Sequence, residues 1–418
     1  MDEAALLAAA LQLPELLCKG IGYTMAQSVQ AGIVRFPAQE LVIFGQSAHD
    51  AVAAEVAQRG LHRIFVTSTR SLTRIEDGPL QRIVEALGPR YVGRFTAIGS
   101  HSPDHDVVTA AIAARQAGAE LIVAIGGGSV IDATKAILMC LWENIDTVDA
   151  FRRAHPMFEG ILTGKPGRER MFAVPTTLSA AEFTSVAGIT NPDSGQKMMY
   201  RHRNAAPQVV VLDPGATLNT PMRLLLTTGI RAIDHAAEAF CSASANPMSD
   251  AYALSAARLL SVTLPQMKVE PENLTHRQLA QFGMWQGLLS SSMGAGSGAS
   301  HAIGYALGAS YGVPHGETSC VSLAPTLRWN AEVNGKRQEL LAEAMGYRDQ
   351  PAWEVIRDLV CRLDAPITLG DVGIVASEIP NLAERAFTYA PMRNNPRPVR
   401  SPDDVAAILA YMMDARRA

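Results

Sequence analysis

The stretch Glu120-Leu-Ile-Val-Ala-Ile-Gly-Gly-Gly-Ser-Val-Ile-Asp-Ala-Thr-Lys-Ala136 limits the fold of this chain more than any other. Leu121 to Ile125 is a continuous apolar run, as in a strand buried on both faces of a parallel sheet. Gly126, Gly127 and Gly128 follow, then Ser129, a residue type that caps helix N-termini. Ile131, Ala133 and Ala136 continue with helical spacing. Strand, glycine turn and helix together aim bare backbone N–H groups and a positive helix end at a phosphate. Glycine leaves room for the ligand where a Cβ would collide. The spacing is neither G-x-G-x-x-G nor a Walker A loop. A tight turn that binds nothing has the same local sequence.

The surrounding pattern supplies the sheet. Leu41 to Phe44, Arg63 to Thr67, Tyr91 to Ile98, Met171 to Val174 and Val209 to Leu212 read as further strands. Between the first of them lie helical stretches at Ala48 to Arg59, Leu80 to Leu87 and Asp104 to Gly118. Strands alternating with helices predict an α/β domain with a doubly wound, Rossmann-like parallel sheet. Such sheets bind ligands at the carboxyl ends of their strands. Ser68-Thr-Arg70, the triple glycine and Pro175-Thr-Thr177 all sit there. After Asp213 the texture becomes helical, with long stretches such as Arg223 to Ser242, Thr318 to Asn334 and Lys336 to Ala344. The expected organisation is an N-terminal helical extension over 1–30, a dinucleotide-binding α/β domain over 31–214 and an all-helical domain over 215–418. In the extension, Leu6, Leu7, Ala10 and Leu11 have helical spacing and Pro14 interrupts them.

Composition excludes several classes. A net charge of −4 over 418 residues offers no basic footprint for nucleic acid or an anionic membrane. No run reaches the ~18 apolar residues of a membrane span. Met1-Asp2-Glu3-Ala4 lacks the basic start of a signal peptide. The five cysteines have no C-x-x-C spacing, so neither a disulfide framework nor a zinc site is expected. A reduced, cytoplasmic location is the expectation.

Three histidines stand out: His235 on the helix Gly229 to Phe240, then His301 and His315. Converging imidazoles suit a divalent metal or proton transfer to a carbonyl oxygen. Singly, each has an ordinary structural explanation. Arg231 precedes His235 by four residues and shares its direction on a helix. Asp234 points about 100° away and is expected outside any shared site. Thr176, Thr177 and Ser179 carry hydroxyls that suit a phosphate or a simple turn.

Taken together, these motifs resemble the iron-containing (group III) alcohol dehydrogenase superfamily over nearly the whole chain. Phe44-Gly45-Gln-Ser47, Gly126-Gly-Gly-Ser129, Pro175-Thr-Thr177 and Asp213-Pro-Gly-Ala-Thr-Leu218 are similar to its dinucleotide site. His235-Ala-Ala-Glu-Ala239 and Leu307-Gly-Ala-Ser-Tyr-Gly-Val-Pro-His-Gly316 are similar to its metal-site half. Within it, the loop from Pro175 to Glu182, Ser100-His-Ser-Pro103 and Asn395-Pro-Arg-Pro398 resemble the maleylacetate reductases.

The resemblance implies a dehydroquinate synthase-like fold with the active site between its two domains. It implies NAD(P)-dependent hydride transfer at a carbonyl or alcohol carbon, with an oxo-carboxylate such as maleylacetate preferred. Gly45, Ser68, Gly126, Gly127, Gly128, Ser129, Thr176, Thr177, Ser179 and Leu218 would bind NAD or NADP. Arg231 would pair with a substrate carboxylate. His235, His301, Tyr305 and His315 would polarise the carbonyl and deliver a proton. The family's metal site has an aspartate and three histidines; Arg231 stands at the aspartate position. No metal is therefore preferred, with iron or zinc on His235, His301 and His315 if one binds. Tyr305 replaces a further histidine, and Ala180-Ala181 replaces a small Gly-Ser pair. Ser68 stands where an acidic residue often holds the adenosine ribose, which leaves NAD and NADP both open. The expected partners are a small-molecule substrate and a second copy of the chain. The alternatives are a metal-dependent alcohol dehydrogenase and a non-catalytic dinucleotide-binding relative.

Overall fold

Strand residues that alternate between two buried clusters decide how the first half is layered. The computed structural model describes residues 33–158 and 167–413; the extension read in residues 1–30 lies outside them. Eight strands occur among the described residues: β1 (Leu41–Phe44), β2 (Ile64–Thr67), β3 (Tyr91–Phe95), β4 (Leu121–Gly126), β5 (Arg170–Pro175), β6 (Val186–Asn191), β7 (Gln196–Arg201) and β8 (Val209–Leu212). Six form one sheet in the order β1-β8-β5-β4-β2-β3, with every pair parallel. Val123, Ile125, Phe172, Val174, Val209 and Val211 bury against α1 (Ala48–Gln58) and α2 (Pro79–Leu87) on one face. The alternate residues Ile122, Ala124, Met171, Ala173 and Val210 bury with α3 (Asp104–Gln116) and α4 (Gly128–Trp142) on the other. The short α5 (Val148–Ala154) follows α4. Successive side chains of a strand point to opposite faces, so runs without polar residues demand helices on both sides.

The remaining strands, β6 and β7, pair antiparallel outside the sheet, with Gly188 opposite Met199 and Thr190 opposite Lys197. Sequence reading misses this hairpin, because Gly188 and the turn Asn191 to Gly195 break its alternation.

From Met222 onward the described elements are helical: α6 (Met222–Cys241), α7 (Pro247–Val269), α8 (Leu274–Ser290), α9 (Ala299–Tyr311), α10 (His315–Ala344), α11 (Ala352–Arg362), α12 (Ile379–Thr388) and α13 (Pro402–Tyr411). Nearly all of α6 is buried, and it packs against α7, α8 and α10. A Cβ on Gly316 would stand 2.7 Å from the Thr227 carbonyl carbon, so glycine lets the start of α10 press on the α6 backbone. The two helices read at Thr318 to Asn334 and Lys336 to Ala344 are one run with a break in helical geometry at Asn334. No described helix is long and apolar enough to cross a membrane. Cys140, Cys241, Cys320 and Cys361 are free thiols.

The two halves meet at the carboxyl ends of the strands. Phe44 packs edge-on to Phe282 with ring centroids 5.1 Å apart, and Phe183 stacks on Trp285 at 5.0 Å. Leu178 N–H donates to Thr228 Oγ1 at 3.1 Å. The expected site therefore lies along this junction.

Candidate active site

On the sheet side, glycines and hydroxyls are packed together. Gly126 has φ +154°, and Gly127 is the N-cap of α4. A Cβ on Gly127 would stand 2.9 Å from Thr177 Cγ2, and one on Gly128 would stand 2.9 Å from Ser179 Oγ. The structure thus brings Gly127, Gly128, Thr177 and Ser179 to the start of one helix. The first N–H groups of a helix have no intrahelical acceptor and favour an anion. Thr176 closes the same loop by donating its N–H to Gly126 C=O at 3.0 Å.

One reading needs correction here. Ser129 is not the cap. It lies inside α4, and its Oγ accepts the His101 N–H at 3.0 Å, so it positions the neighbouring loop. Ser68 is fully buried and donates its hydroxyl to Ile125 C=O at 2.8 Å. That bond ties β2 to β4. Gly45 has φ +73°, and a Cβ there would meet Gln278 Nε2 at 2.7 Å. Leu218, 41% exposed, follows a short turn whose Thr217 accepts from Arg277 at 2.8 Å. Helix α8, which supplies Gln278 and Arg277, thus touches both segments.

Sequence reading also missed Lys135, although Asp132 and Lys135 lie one helical turn apart in the opening stretch. The Lys135 ammonium is buried and donates to Ala181 C=O and Val186 C=O at 2.7 Å each, and to Asp132 Oδ1 at 3.1 Å. It fastens α4 to the Pro175–Glu182 loop and to β6.

On the helical side, α6 presents Arg231, Asp234, His235 and Glu238, spaced so that one face carries all four. Arg231 is 1% exposed. Its Nη1 donates to Ser319 Oγ at 3.0 Å and lies 3.3 Å from Asp234 Oδ2. Its Nε is buried without a partner, and Nη2 makes no hydrogen bond among the described residues. The expectation that Asp234 points away is wrong. Asp234 is fully buried, accepts from Ser319 Oγ at 2.6 Å and Ser300 Oγ at 3.0 Å, and lies 3.6 Å from His301 Nδ1. Three residues make almost a full turn, so Asp234 flanks Arg231 rather than opposing it.

His301 bridges two partners. Its Nδ1 lies 2.6 Å from Glu238 Oε2, and its Nε2 lies 3.0 Å from His235 Nδ1. Glu238 also accepts the N–H groups of Gly298 and Ser300 at 2.7 Å each. Glu238 stands three residues after His235, a spacing that puts it on the histidine's helix face and that was readable in the sequence. Tyr305 completes the group. The Arg231 guanidinium carbon lies 5.8 Å from its ring centroid. The His315 ring runs nearly parallel to it at 6.4 Å, and Tyr389 meets it edge-on at 5.6 Å.

Burial dominates the electrostatics. It lowers His235 and His315 well below the usual imidazole range, helped by the neighbouring Arg231 charge. Burial and Arg231 lower His301 as well. These rings are neutral near pH 7. Burial raises Glu238 to about 7, and it raises Tyr305, which keeps its phenol proton.

The donor set does not fit a divalent cation. Among the described residues, only Asp234, Glu238 and His301 bring three ligand atoms within 4.8 Å of one another. Asp234 Oδ2 and both Glu238 oxygens already serve Ser319, Ser300, Gly298 and His301, Asp234 Oδ1 is buried without a partner, and the Arg231 cation adjoins them. His235, His301 and His315 do not form such a set. A guanidinium in place of a carboxylate ligand adds repulsion.

Comparison with known proteins accords with this geometry. The family described as iron-containing alcohol dehydrogenase matches residues 39–214, and the C-terminal part of the same family matches residues 225–413. The maleylacetate reductase of Sphingobium indicum is 31% identical over 86% of this chain and 91% of its own. That of a Rhizobium species is 29% identical over 82% of this chain and 88% of its own. The crystal structure of maleylacetate reductase from Agrobacterium tumefaciens covers 93% of this chain and all of its own, at 27% identity and a TM-score of 0.77. With a glycine-rich helix start on one side of the junction, a buried histidine group on the other and a match along both halves, the chain belongs to the iron-containing alcohol dehydrogenase family and is an NAD(P)-dependent oxidoreductase.

Proposed function

We propose that this enzyme reduces an oxo-carboxylate in the manner of a maleylacetate reductase. The observation that carries the reading is the unpartnered Nε–Nη2 edge of Arg231, buried beneath Tyr305 and beside the histidines. One edge of the guanidinium is held by Asp234 and Ser319; the other is free to take a carboxylate through two parallel hydrogen bonds. Relatives named maleylacetate reductase support the same reading.

The Gly127–Gly128 backbone, Thr177 and Ser179 would hold the cofactor's pyrophosphate, with Gly45 and Leu218 along its path. A bound nicotinamide dinucleotide supplies hydride. Whether the hydride adds at the carbonyl carbon or at an alkene carbon conjugated with it, negative charge develops on the carbonyl oxygen. Tyr305 retains its O–H and can donate to that oxygen. The chain Glu238–His301–His235 can move a proton. When His235 Nε2 gives up its hydrogen, His235 Nδ1 takes one from His301 Nε2, and His301 Nδ1 takes one from Glu238.

The test is oxidation of NADH and NADPH with maleylacetate or a neutral aldehyde, and reduction of NAD+ and NADP+ with simple alcohols, with and without chelator. Maleylacetate-dependent oxidation that withstands the chelator is the expected result. Activity confined to alcohols, lost with chelator and restored by iron or zinc, would overturn the reading.

A further inference from the structure

Helix α6 runs on past Glu238 to Cys241, and a small cavity opens there. Glu238, Gly298, Thr326 and Asn330 are among its walls; Arg231, His235 and Tyr305 are not. It has room for about one water molecule. The exposed Asn394 also lines it, so the cavity reaches from a buried acid towards solvent. Gly298 leaves one carboxylate oxygen uncovered, since a Cβ there would stand 3.0 Å from Glu238 Oε1. That oxygen accepts the Ser300 N–H at 2.7 Å and has a lone pair to spare.

Thr326 is fully buried, and its hydroxyl has no partner among the described residues. A hydroxyl inside a helix commonly bonds back to the carbonyl four residues earlier. Ser322, one turn before Thr326 on α10, does so, to Thr318 C=O at 2.8 Å. Asn330, one turn after it, exchanges hydrogen bonds of 2.8 and 3.0 Å with Asn395 and has one amide hydrogen left over. A buried hydroxyl without a partner is costly, and an ordered water needs about two to four polar partners. Glu238 Oε1, Thr326 Oγ1 and Asn330 Nδ2 offer them around one cavity.

We propose that this cavity is a water site, and that Thr326 holds there a water that donates to Glu238 and stabilises its carboxylate while the relay has its proton. Thr326 is then a positioning residue for the reduction. The proposal rests on the relay in the reductase reading given above. For each hydride it receives, the substrate takes one proton, from His235 Nε2. His301 Nε2 refills His235 Nδ1, and Glu238 refills His301 Nδ1. Glu238 is left as a carboxylate inside the protein, and one more donor stabilises that charge. When product leaves, solvent returns a proton to His235 Nε2 and the chain runs backward to Glu238.

A crystal structure of the full chain tests the site. An ordered water within hydrogen-bond distance of Thr326 Oγ1 and Glu238 Oε1 is expected; a dry cavity overturns the site. Kinetics test the role. Wild type, Thr326→Val and Thr326→Ser are assayed with maleylacetate in H2O and D2O, using NADH and NADH deuterated at the transferred position. Valine keeps the shape and removes the hydroxyl. Thr326→Val should lower kcat by about 3- to 10-fold with KM unchanged, as for one lost hydrogen bond. Its solvent isotope effect on kcat should grow and its cofactor isotope effect should shrink, because proton movement becomes the slower step. Thr326→Ser should restore most of the rate. Isotope effects that stay as in wild type, or equal losses in both variants, overturn the role of Thr326. A valine variant with a raised urea midpoint and unchanged kcat overturns it too, since the hydroxyl then served nothing. Wild-type enzyme that does not reduce maleylacetate overturns the reductase reading, while the water site stands or falls by the crystal structure.

Discussion

His301 Nδ1 lies 2.6 Å from Glu238 Oε2, and the same carboxylate collects the backbone N–H groups of Gly298 and Ser300. Two backbone donors converge on one buried acid, which is also the group that passes a proton to His301. In Glu238→Gln, the amide NH2 must face one of those donors. The variant should lose about 1–3 kcal/mol of stability, the cost of an unsatisfied buried group. Because His301 also holds His235, kcat should fall more than KM rises. Urea unfolding and steady-state kinetics decide it; an unchanged midpoint with unchanged kcat would show that the carboxylate is dispensable.

Arg231 has one edge committed to Asp234 and Ser319 and one edge open. A lysine can match the charge but not the fork. Arg231→Lys should therefore reduce kcat/KM for maleylacetate by about 10- to 100-fold. The loss should be far smaller for a neutral aldehyde of similar size. An equal loss on both would make the arginine a packing residue that reads no carboxylate.

Gly127 faces Thr177 so closely that a Cβ would stand 2.9 Å from Thr177 Cγ2. Valine at Gly127 should push Thr177 aside and raise the cofactor's KM by about tenfold or more. The oxo-acid's KM should change little. A folded variant that binds NADH and NADPH as wild type does would remove the glycine turn from the cofactor site.

Glu182 is fully buried, and neither carboxylate oxygen has a partner among the described residues. Burial raises it from 4.5 to about 7. The folded state then binds the proton more tightly than the unfolded chain. Its stabilising effect is complete below about pH 4.5 and is lost as pH rises through about 7. Glu182→Gln stays neutral throughout, so it should gain on wild type by up to about 3 kcal/mol across that window. Denaturant unfolding of both proteins at about pH 5 and about pH 8 measures the difference. A constant difference between the two would mean that Glu182 titrates normally.

All six strands of the main sheet were legible in the sequence: the inner strands, buried on both faces, carry apolar runs, and the edge strands β1 and β3 are marked by their place between helical stretches. The break at Asn334 was legible too, since Asn334-Gly335 weakens a helix wherever it falls. The antiparallel hairpin was not, as its strands are half exposed and contain glycine, lysine and asparagine. The site was legible in part. Arg231, His235, His301 and Tyr305 are gathered by a helix face and by packing between α6 and α9. Asp234 was misjudged because angular position on a helix was weighed without the reach of the arginine. Ser129 was misjudged as a cap because a hydroxyl near a strand end serves the neighbouring backbone as readily as a helix end.

The sheet order has a consequence for how the chain comes to be folded. β1 is an edge strand whose sole partner is β8, and Asp213 caps the α1 N-terminus at Ala48 from 165 residues away. During synthesis β1 emerges long before anything it can pair with. At about 5–20 residues per second, that wait is on the order of ten seconds or more. Closure of this edge belongs to the late, slow phase of folding expected of distant parallel pairings. Until then Leu41-Val-Ile-Phe44 is an apolar strand with an open edge, and it is the segment through which nascent chains would stick to one another.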